Sequence, residues 1–379
     1  MQKIPRKLFK KILNDLQFSG KGVVIYGARQ VGKTTLVNEI LNNLNIKTLY
    51  LNGDQQGYWY EALISRELSK IKSLVSGYQA VFIDEAQRIP EIGLSLKIIL
   101  DNFPSLKVVV TGSSSLDLAS KISEPLTGRI YSYKLFPVAQ LELSELQTPY
   151  EMNTNLEERL IYGSYPELFS LEGFEAKEKY LSNLTDAYLY KDLLEFGDIR
   201  NSTKIRDLLK LLAFQIGSQV SITELSKSLE MSRSAVDRYL DLLEGSFIIF
   251  RLSGFSRNLR KEVTKMDKIF FYDTGVRNAI IGNLNLIKNR DDVGKLWENF
   301  LIVERMKKKE YEGSIYSKYF WRLSSGAELD MVEDEGGILS GFEVKFSDKL
   351  VNAPKSWKET YPDAVFKSIN RDNYQDLVL

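Results

Sequence analysis

The sequence predicts an α/β fold whose N-terminal part is a parallel β-sheet. Short, continuously apolar runs alternate there with longer segments in which apolar residues recur at helical spacing. Runs without polar interruptions are typical of parallel strands that helices cover on both faces. Five strands are expected, at residues 23–26, 48–51, 80–83, 107–110 and 130–135.

The rest of the chain changes character twice. Leu, Ile and Tyr recur every three or four residues from about residue 155 to 215, which predicts helices. Short helices and β-rich pieces follow, and the last part mixes one helix with strands. We therefore expect four regions: a sheet domain at 1–145, a helical lid at 146–205, a third region at 206–285 and a small α+β domain at 286–379.

The composition excludes several kinds of chemistry. The 379 residues include 51 basic and 50 acidic side chains, but no cysteine and no histidine. Disulfides, thiol nucleophiles, zinc fingers and histidine-dependent catalysis are therefore excluded. Any bound metal must use oxygen ligands, which suit Mg²⁺, Mn²⁺ or Ca²⁺.

The start of the chain is basic but lacks the continuous apolar stretch of a signal peptide. Leu8, Ile12, Leu13 and Leu16 recur at helical spacing instead, which predicts an amphipathic first helix. No run of 18 apolar residues occurs, so we expect no membrane span and a cytoplasmic protein.

A complete G-x-x-x-x-G-K-[ST] pattern follows the first strand and opens a predicted helix. Its glycines let the loop curl so that backbone N–H groups face phosphates, and the helix N-terminus adds positive charge. Lys33 would bring a charge to the β- and γ-phosphates, and Thr34 a hydroxyl to Mg²⁺. The expected ATP-binding residues are Gly27, Ala28, Arg29, Gln30, Val31, Gly32, Lys33, Thr34 and Thr35.

An acidic pair ends the third predicted strand. Asp84 would hold Mg²⁺, and Glu85 would orient and polarise the attacking water. Because adjacent side chains diverge at the end of a strand, two neighbouring carboxylates can divide these roles. The pair favours hydrolysis over binding alone.

Two further polar elements follow the acidic pair. Thr111 or Ser113, after the fourth strand, could contact the γ-phosphate or the water, although a turn that caps the next helix is the alternative. Arg129 is a candidate γ-phosphate sensor or arginine finger, in its own subunit or in a neighbour of a homo-oligomer. A plain surface role is the alternative for Arg129.

These motifs resemble those of a bacterial and archaeal family of predicted AAA-type P-loop ATPases with a C-terminal domain of unknown function. The resemblance implies ATP and Mg²⁺ as ligands, and it departs from the family at Val138-Ala139 and Gly163-Ser164, away from the nucleotide chemistry. The matching segments cover most of the chain in order, at residues 27–35, 82–87, 111–115, 126–129, 135–142, 163–167, 188–192 and 271–275.

Region 206–285 has the pattern of a winged helix. Ser221 and Glu224 form a capping box before one short helix, and Ser232 begins a second, which a β-rich piece follows. Arg233 and Arg238 lie on the outer face of the second helix.

The segment 251–268 is locally basic, with six basic and two acidic residues. We expect it to contact DNA together with the winged helix, whereas a solvated wing or protein packing is the alternative. The basic residues are Arg251, Arg257, Arg260, Lys261, Lys265 and Lys268.

The C-terminal region resembles the D…E-x-K signature of restriction-endonuclease-like, or PD-(D/E)XK, folds. Glu343 and Lys345 share one face of a strand because the period is two, and Asp330 should end the neighbouring strand. Asp330 and Glu343 would chelate Mg²⁺, and Lys345 would position or deprotonate the attacking water. Glu298 could add an outer carboxylate. Such folds also persist as binding modules, so cleavage stays an open question.

The combined expectation is a Mg²⁺-dependent ATPase that couples its nucleotide state to DNA binding. The alternative is a nucleotide-gated signalling or scaffold protein whose C-terminal domains bind protein partners and lack nuclease activity.

Overall fold

The structure is a computed structural model that describes residues 3–113, 125–189, 202–256 and 266–379. These residues form two compact units. The first runs to Pro137 and includes Gly245–Phe247, and the second consists of Val138–Glu244 and Ile248–Leu379. No helix of the described ranges is long and apolar enough to cross a membrane.

All five predicted strands of the N-terminal sheet are confirmed. Every neighbouring pair is parallel, in the order β2-β3-β4-β1-β5. Because the strands are parallel, their C-terminal ends share one edge, and the end of β4 lies between those of β1 and β3. The strands are β1 (Gly22–Tyr26), β2 (Thr48–Asn52), β3 (Ala80–Asp84), β4 (Lys107–Gly112) and β5 (Ile130–Lys134).

Helices of the first unit separate these strands along the chain. In the first helix Leu8, Ile12 and Leu16 are buried, which confirms its amphipathic character. All residues of β1 and β3 are buried, which explains their continuous apolar runs. The helices are α1 (Leu8–Phe18), α2 (Lys33–Leu44), α3 (Tyr58–Ser65), α4 (Leu68–Val75) and α5 (Ile92–Asn102).

The second unit begins with helices. They are α6 (Gln140–Leu143), α7 (Pro149–Thr154), α8 (Leu156–Tyr162), α9 (Phe174–Asn183), α10 (Ser202–Phe214), α11 (Ile222–Ser228) and α12 (Arg233–Gly245). The hydroxyl of Ser221 accepts a hydrogen bond from Glu224 N at 3.3 Å, and that of Ser232 one from Ala235 N at 3.2 Å, so both expected helix starts are confirmed.

The second unit ends in a strand pair and a mixed sheet. The pair is antiparallel, and the sheet has the order β11-β10-β9-β8 with only β10 and β11 parallel. The elements are β6 (Ile249–Leu252), β7 (Lys268–Phe271), α13 (Thr274–Ile280), α14 (Val293–Glu312), β8 (Ser317–Arg322), β9 (Glu328–Glu335), β10 (Ile338–Val344), α15 (Lys355–Thr360), β11 (Val365–Ile369) and α16 (Gln375–Val378).

Two of the family-like segments pack against each other inside this unit. The carboxylate of Asp273 accepts hydrogen bonds from Ser164 N at 2.7 Å and from Val276 N at 3.1 Å. A Cβ at Gly275 would lie 1.9 Å from the carbonyl oxygen of Tyr162, so only glycine permits this approach. These segments therefore have a packing role.

Some of the predicted features lie outside the described residues. They are Ser114, Ser115, residues 190–192, Arg257, Arg260, Lys261, Glu262 and Lys265.

Candidate active site

The G-x-x-x-x-G-K-[ST] segment curls around the amino group of Lys33. This side chain is buried, and its Nζ donates to the carbonyl oxygens of Gly27 at 2.8 Å and Ala28 at 2.9 Å. Gly32 adopts a φ of 92° directly before α2. A Cβ at Gly27 would lie 2.2 Å from the carbonyl oxygen of Leu135, so the loop backbone lies directly against the chain after β5.

Of the other predicted loop residues, some are buried and some are exposed to solvent. Ala28 and Val31 are buried, and Arg29 is half-buried. Gln30 and Thr35 are exposed.

Asp84, at the end of β3, meets side chains from α2, β2 and β4. Its Oδ2 accepts hydrogen bonds from the Thr34 hydroxyl at 2.8 Å and from the Tyr50 hydroxyl at 3.3 Å. The Thr111 hydroxyl donates to Oδ1. Burial, with the nearby charge of Asp84, raises the pKa of Tyr50 to about 12, so the phenol stays a neutral donor. Carboxylate and hydroxyl oxygens meet here, as a Mg²⁺ site requires.

Glu85 lies beside this cluster in a hydrogen-bond network of its own. Its Oε2 accepts from Gln87 Nε2 at 2.5 Å and from the Ser113 hydroxyl at 3.2 Å. Of the two predicted sensor hydroxyls, Thr111 thus contacts Asp84 and Ser113 contacts Glu85.

Tyr50 and Gln87 were not predicted from the sequence as parts of this site. Gln87 had a usable signal, because it stands two positions after Glu85 in the segment that resembles the family. Tyr50 lies in the middle of β2, and only the packing of β2 against β3 brings its hydroxyl to Asp84.

A second polar cluster lies in the mixed-sheet part of the second unit. Asp330 was expected to end its strand, which is wrong, because it is the third residue of β9 and the strand continues to Glu335. Since β9 and β10 are antiparallel, the start of β9 meets the end of β10. Asp330 Oδ2 therefore accepts from Val344 N at 2.8 Å, beside Glu343 and Lys345.

The expected E-x-K pair is also in contact. Lys345 Nζ lies 2.6 Å from Oε1 of Glu343, and Oε2 of Glu343 is buried without a hydrogen-bond partner within the described part of the chain. Burial, with the charge of Asp330, raises the pKa of Glu343. An orphaned carboxylate oxygen fits a cation at this position.

Lys268 belongs to this cluster, although its sequence position predicted a DNA contact. It is buried, and its Nζ lies 2.9 Å from Oε1 of Glu298. Burial, with the charge of Asp330, raises the pKa of Glu298 to about 8. The ion pair explains why a lysine can be buried here.

A cavity of about 380 Å³ opens onto this second cluster. Lys268, Glu298, Asp330 and Lys345 line it, together with Gly217–Gln219 from the segment after α10. No group of three or more acidic residues in the described ranges is arranged to hold a metal ion. A cation at Asp330 and Glu343 would therefore need other oxygen ligands as well.

Comparison with known proteins decides the identity of the first unit. Residues 19–144 match a family described as an AAA domain. This segment is an AAA-type P-loop ATPase domain. Residues 153–286 match a domain of unknown function (DUF8612), and residues 293–369 match another (DUF4143). The match to an AAA domain supports ATP and Mg²⁺ as ligands of this segment.

Relatives of the ATPase occur in bacteria and archaea. An uncharacterized protein of Mycobacterium tuberculosis is 28% identical over 330 residues, which cover 85% of this chain and 70% of the relative. An uncharacterized protein of Methanocaldococcus jannaschii is 24% identical over 388 residues, with 94% and 85% covered.

Solved structures show a partial likeness of fold. The Walker-type ATPase of Pyrococcus abyssi has a TM-score of 0.48 at 16% identity, over 73% of this chain and 96% of that one. The RuvB Holliday junction branch migration motor of Thermotoga maritima has a TM-score of 0.34 at 17% identity, over 65% and 90%.

Arg129 lies at the edge of the ATPase sheet opposite the phosphate-binding loop. Its carbonyl oxygen accepts from Gly22 N at the start of β1, whereas the loop begins after the end of that strand, at Gly27. Five strand residues span roughly 16 Å. Arg129 pairs instead with Asp101 at 2.6 Å, so the structure does not bring it to its own phosphate-binding loop.

Arg251 is held by acidic residues of α12. Its guanidinium lies 2.5 Å from Asp241, 2.8 Å from Glu244 and 3.6 Å from Asp237. Arg233 and Arg238 on the same helix are exposed, as expected. The positive charge at the described ends of segment 251–268 is therefore balanced within the protein.

Proposed function

We propose that the ATPase hydrolyses ATP through the residues gathered at the C-terminal edge of its sheet, and couples nucleotide state to DNA contact. One observation carries the hydrolytic part. Thr34 and Asp84 share a hydrogen bond of 2.8 Å, while Glu85 lies directly beside them on a separate network.

Each residue of this edge has a distinct part in the proposed reaction. The backbone N–H groups of the curled loop bind the phosphates, and Lys33 exchanges its carbonyl partners for phosphate oxygens. Thr34 and Asp84 hold Mg²⁺, which, when bound, neutralises phosphate charge. Glu85 accepts a hydrogen bond from the attacking water and aligns it with the γ-phosphate.

Arg129 acts in this proposal on the nucleotide of a neighbouring subunit. Its position away from its own phosphate-binding loop supports such an arginine finger, which stabilises charge in the transition state. The proposal therefore includes a homo-oligomer.

The DNA-binding part rests on region 206–285, which we interpret as a winged helix. Helices α11 and α12 begin at serine caps, and the antiparallel pair β6–β7 follows. Arg233 and Arg238 are exposed along α12, where they are available to phosphates. The lid at 146–205 and the α+β region at 286–379 complete the proposed organisation.

The proposal also includes a nuclease activity at the cluster of Asp330, Glu343 and Lys345. Asp330 and Glu343 would hold Mg²⁺, and Lys345 would position the water that attacks a phosphodiester. The buried, unpartnered Oε2 of Glu343 supports this assignment. Mg²⁺-dependent cleavage that is lost in Asp330→Ala and in Lys345→Ala is expected, and unchanged cleavage in both variants would refute the site.

A scaffold that binds protein partners is the second candidate. The ion pairs of Arg251 and Lys268 favour it, because they remove positive charge from the segment expected to contact DNA. Phosphate release with and without DNA, at several salt concentrations, separates the two functions. Stimulation by DNA that weakens with salt supports coupling, whereas no stimulation and no salt-sensitive binding supports the scaffold.

A further inference from the structure

Gln87 touches the carboxylate that is proposed to orient the attacking water. It lies in a short 3₁₀ turn, Ala86–Arg88, directly after Glu85, and only 3% of its surface is exposed. Its Nε2 donates to Oε2 of Glu85 at 2.5 Å and reaches the hydroxyl oxygen of Ser113 at 3.0 Å. The same Ser113 hydroxyl donates to Oε2 of Glu85 at 3.2 Å.

Both hydrogen bonds end on the same oxygen of Glu85. Oε1 takes part in neither of them. Two donors on Oε2 restrict rotation about the last side-chain bond. Oε1 can then accept a hydrogen bond from a water without breaking this arrangement.

The backbone of Glu85 is held in an unusual conformation next to these contacts. Its φ of 49° lies in the left-handed region, which is strained for a non-glycine residue. Gly53 packs directly on it, since a Cβ there would lie 2.3 Å from the carbonyl oxygen of Glu85. Gly53 N also donates to Asp84 O at 2.8 Å. Strain that neighbouring residues hold in place is typical of functional positions.

We propose that Gln87 is a positioning residue for ATP hydrolysis, which, with Ser113, fixes one oxygen of Glu85 and leaves the other for the water. This inference rests on the proposed role of Glu85. Gln87 acts through Glu85 and does not contact the phosphates, so its loss affects turnover and not nucleotide binding.

The test uses Gln87→Met, which keeps a similar volume but removes the amide donor. We expect kcat for ATP to fall about 10- to 100-fold, with KM and the affinity for a fluorescent ATP analogue within about twofold of wild type. Ser113→Ala removes the second donor and should lower kcat in the same way. Ser95→Ala is the control, because this buried hydroxyl donates to Leu63 O elsewhere in the unit.

A double variant distinguishes positioning from a general structural effect. In a Glu85→Gln background the carboxylate is absent, so adding Gln87→Met should lower kcat no further. A full additional loss, or a parallel loss of nucleotide affinity in the single variant, would overturn the inference. If Glu85→Gln itself keeps wild-type turnover, the proposed role of Glu85 fails. If Glu85→Gln is inactive but Gln87→Met and Ser113→Ala keep wild-type kcat, only the inference about Gln87 fails.

Discussion

The hydroxyl of Thr34 donates to Oδ2 of Asp84 at 2.8 Å, although 49 residues separate them along the chain. This bond joins the first turn of α2 to the end of β3. The neighbouring strand β4 adds a hydrogen bond from the Thr111 hydroxyl to the same carboxylate. The parallel sheet thus brings a hydroxyl and a carboxylate together before any cation binds.

Removal of the Thr34 hydroxyl should weaken the binding of Mg²⁺ during ATP turnover. Thr34→Ala is expected to raise the Mg²⁺ concentration for half-maximal ATP turnover at least about tenfold, because one oxygen ligand is lost. Thr34→Ser keeps the hydroxyl and should stay close to wild type. Turnover measured against Mg²⁺ concentration checks this, and equal Mg²⁺ curves for Thr34→Ala and Thr34→Ser would contradict it.

Arg129 should act on the nucleotide of a neighbouring subunit. We expect Arg129→Ala to bind ATP but to hydrolyse it at least about tenfold more slowly. Mixing it with Lys33→Ala, which keeps Arg129 but lacks the phosphate-binding lysine, should restore part of the turnover. If the mixture is no more active than the two proteins measured apart, the role of Arg129 in a neighbouring subunit is wrong.

The packing of Gly275 against Tyr162 should be intolerant of a side chain. Gly275→Ala is expected to lower the free energy of unfolding by about 2–4 kcal/mol, because the new methyl group would overlap a backbone carbonyl oxygen. Gly294→Ala is the matched control, since no atom lies within 4 Å of a Cβ there and it lies in a helix. Its stability should be unchanged or slightly higher in urea unfolding, and equal effects of both changes would contradict the packing argument.

Loss of Lys268 alone should destabilise the protein more than loss of both charges of the Lys268–Glu298 ion pair. Above pH 8, where Glu298 is ionised, Lys268→Met leaves a buried carboxylate without its partner, so we expect a loss of about 3 kcal/mol in the free energy of unfolding. Adding Glu298→Gln should recover much of that loss. Lys295→Met, at an exposed position of the same cavity, is the control and should change stability little.

The loss in Lys268→Met should also depend on pH. The pKa of Glu298 is already raised to about 8 in the folded protein, so the folded state retains a proton that the unfolded state has released. This contribution to stability is complete below the ordinary pKa near 4.5 and is lost as the pH rises through 8. Without Lys268 the ionised form of Glu298 is even less favourable, so its pKa in the folded variant is higher. The deficit of Lys268→Met should therefore stay constant between pH 5 and pH 7 and grow as the pH rises through 8, and a deficit that shrinks would contradict the assignment.

Local patterns predicted the sheet and most of the nucleotide site. Strands β1 and β3 are short and fully buried, so their apolar sequences reflect their environment directly. The loop from Gly27 to Thr34 requires its glycines, its lysine and its hydroxyl for local reasons. The positions of Arg129 and Asp330 relative to strand ends depend instead on strand direction and register. A one-dimensional pattern does not contain that information.

Partners that are distant in the sequence could not be predicted in the same way. Lys268 was grouped with the basic residues around it, but its environment is set by Glu298 on α14. Arg251 was grouped likewise, but three acidic residues of α12 balance its charge. A run of basic residues therefore records the composition of a segment, and not the charge that it presents to solvent.

The most direct test of the account is phosphate release by Glu85→Gln under single-turnover conditions with saturating ATP and Mg²⁺. We expect ATP to bind with an affinity close to that of wild type and hydrolysis to slow at least about 100-fold, because the carboxylate that aligns the water is lost. Hydrolysis at the wild-type rate by a variant that binds ATP normally would contradict the central claim.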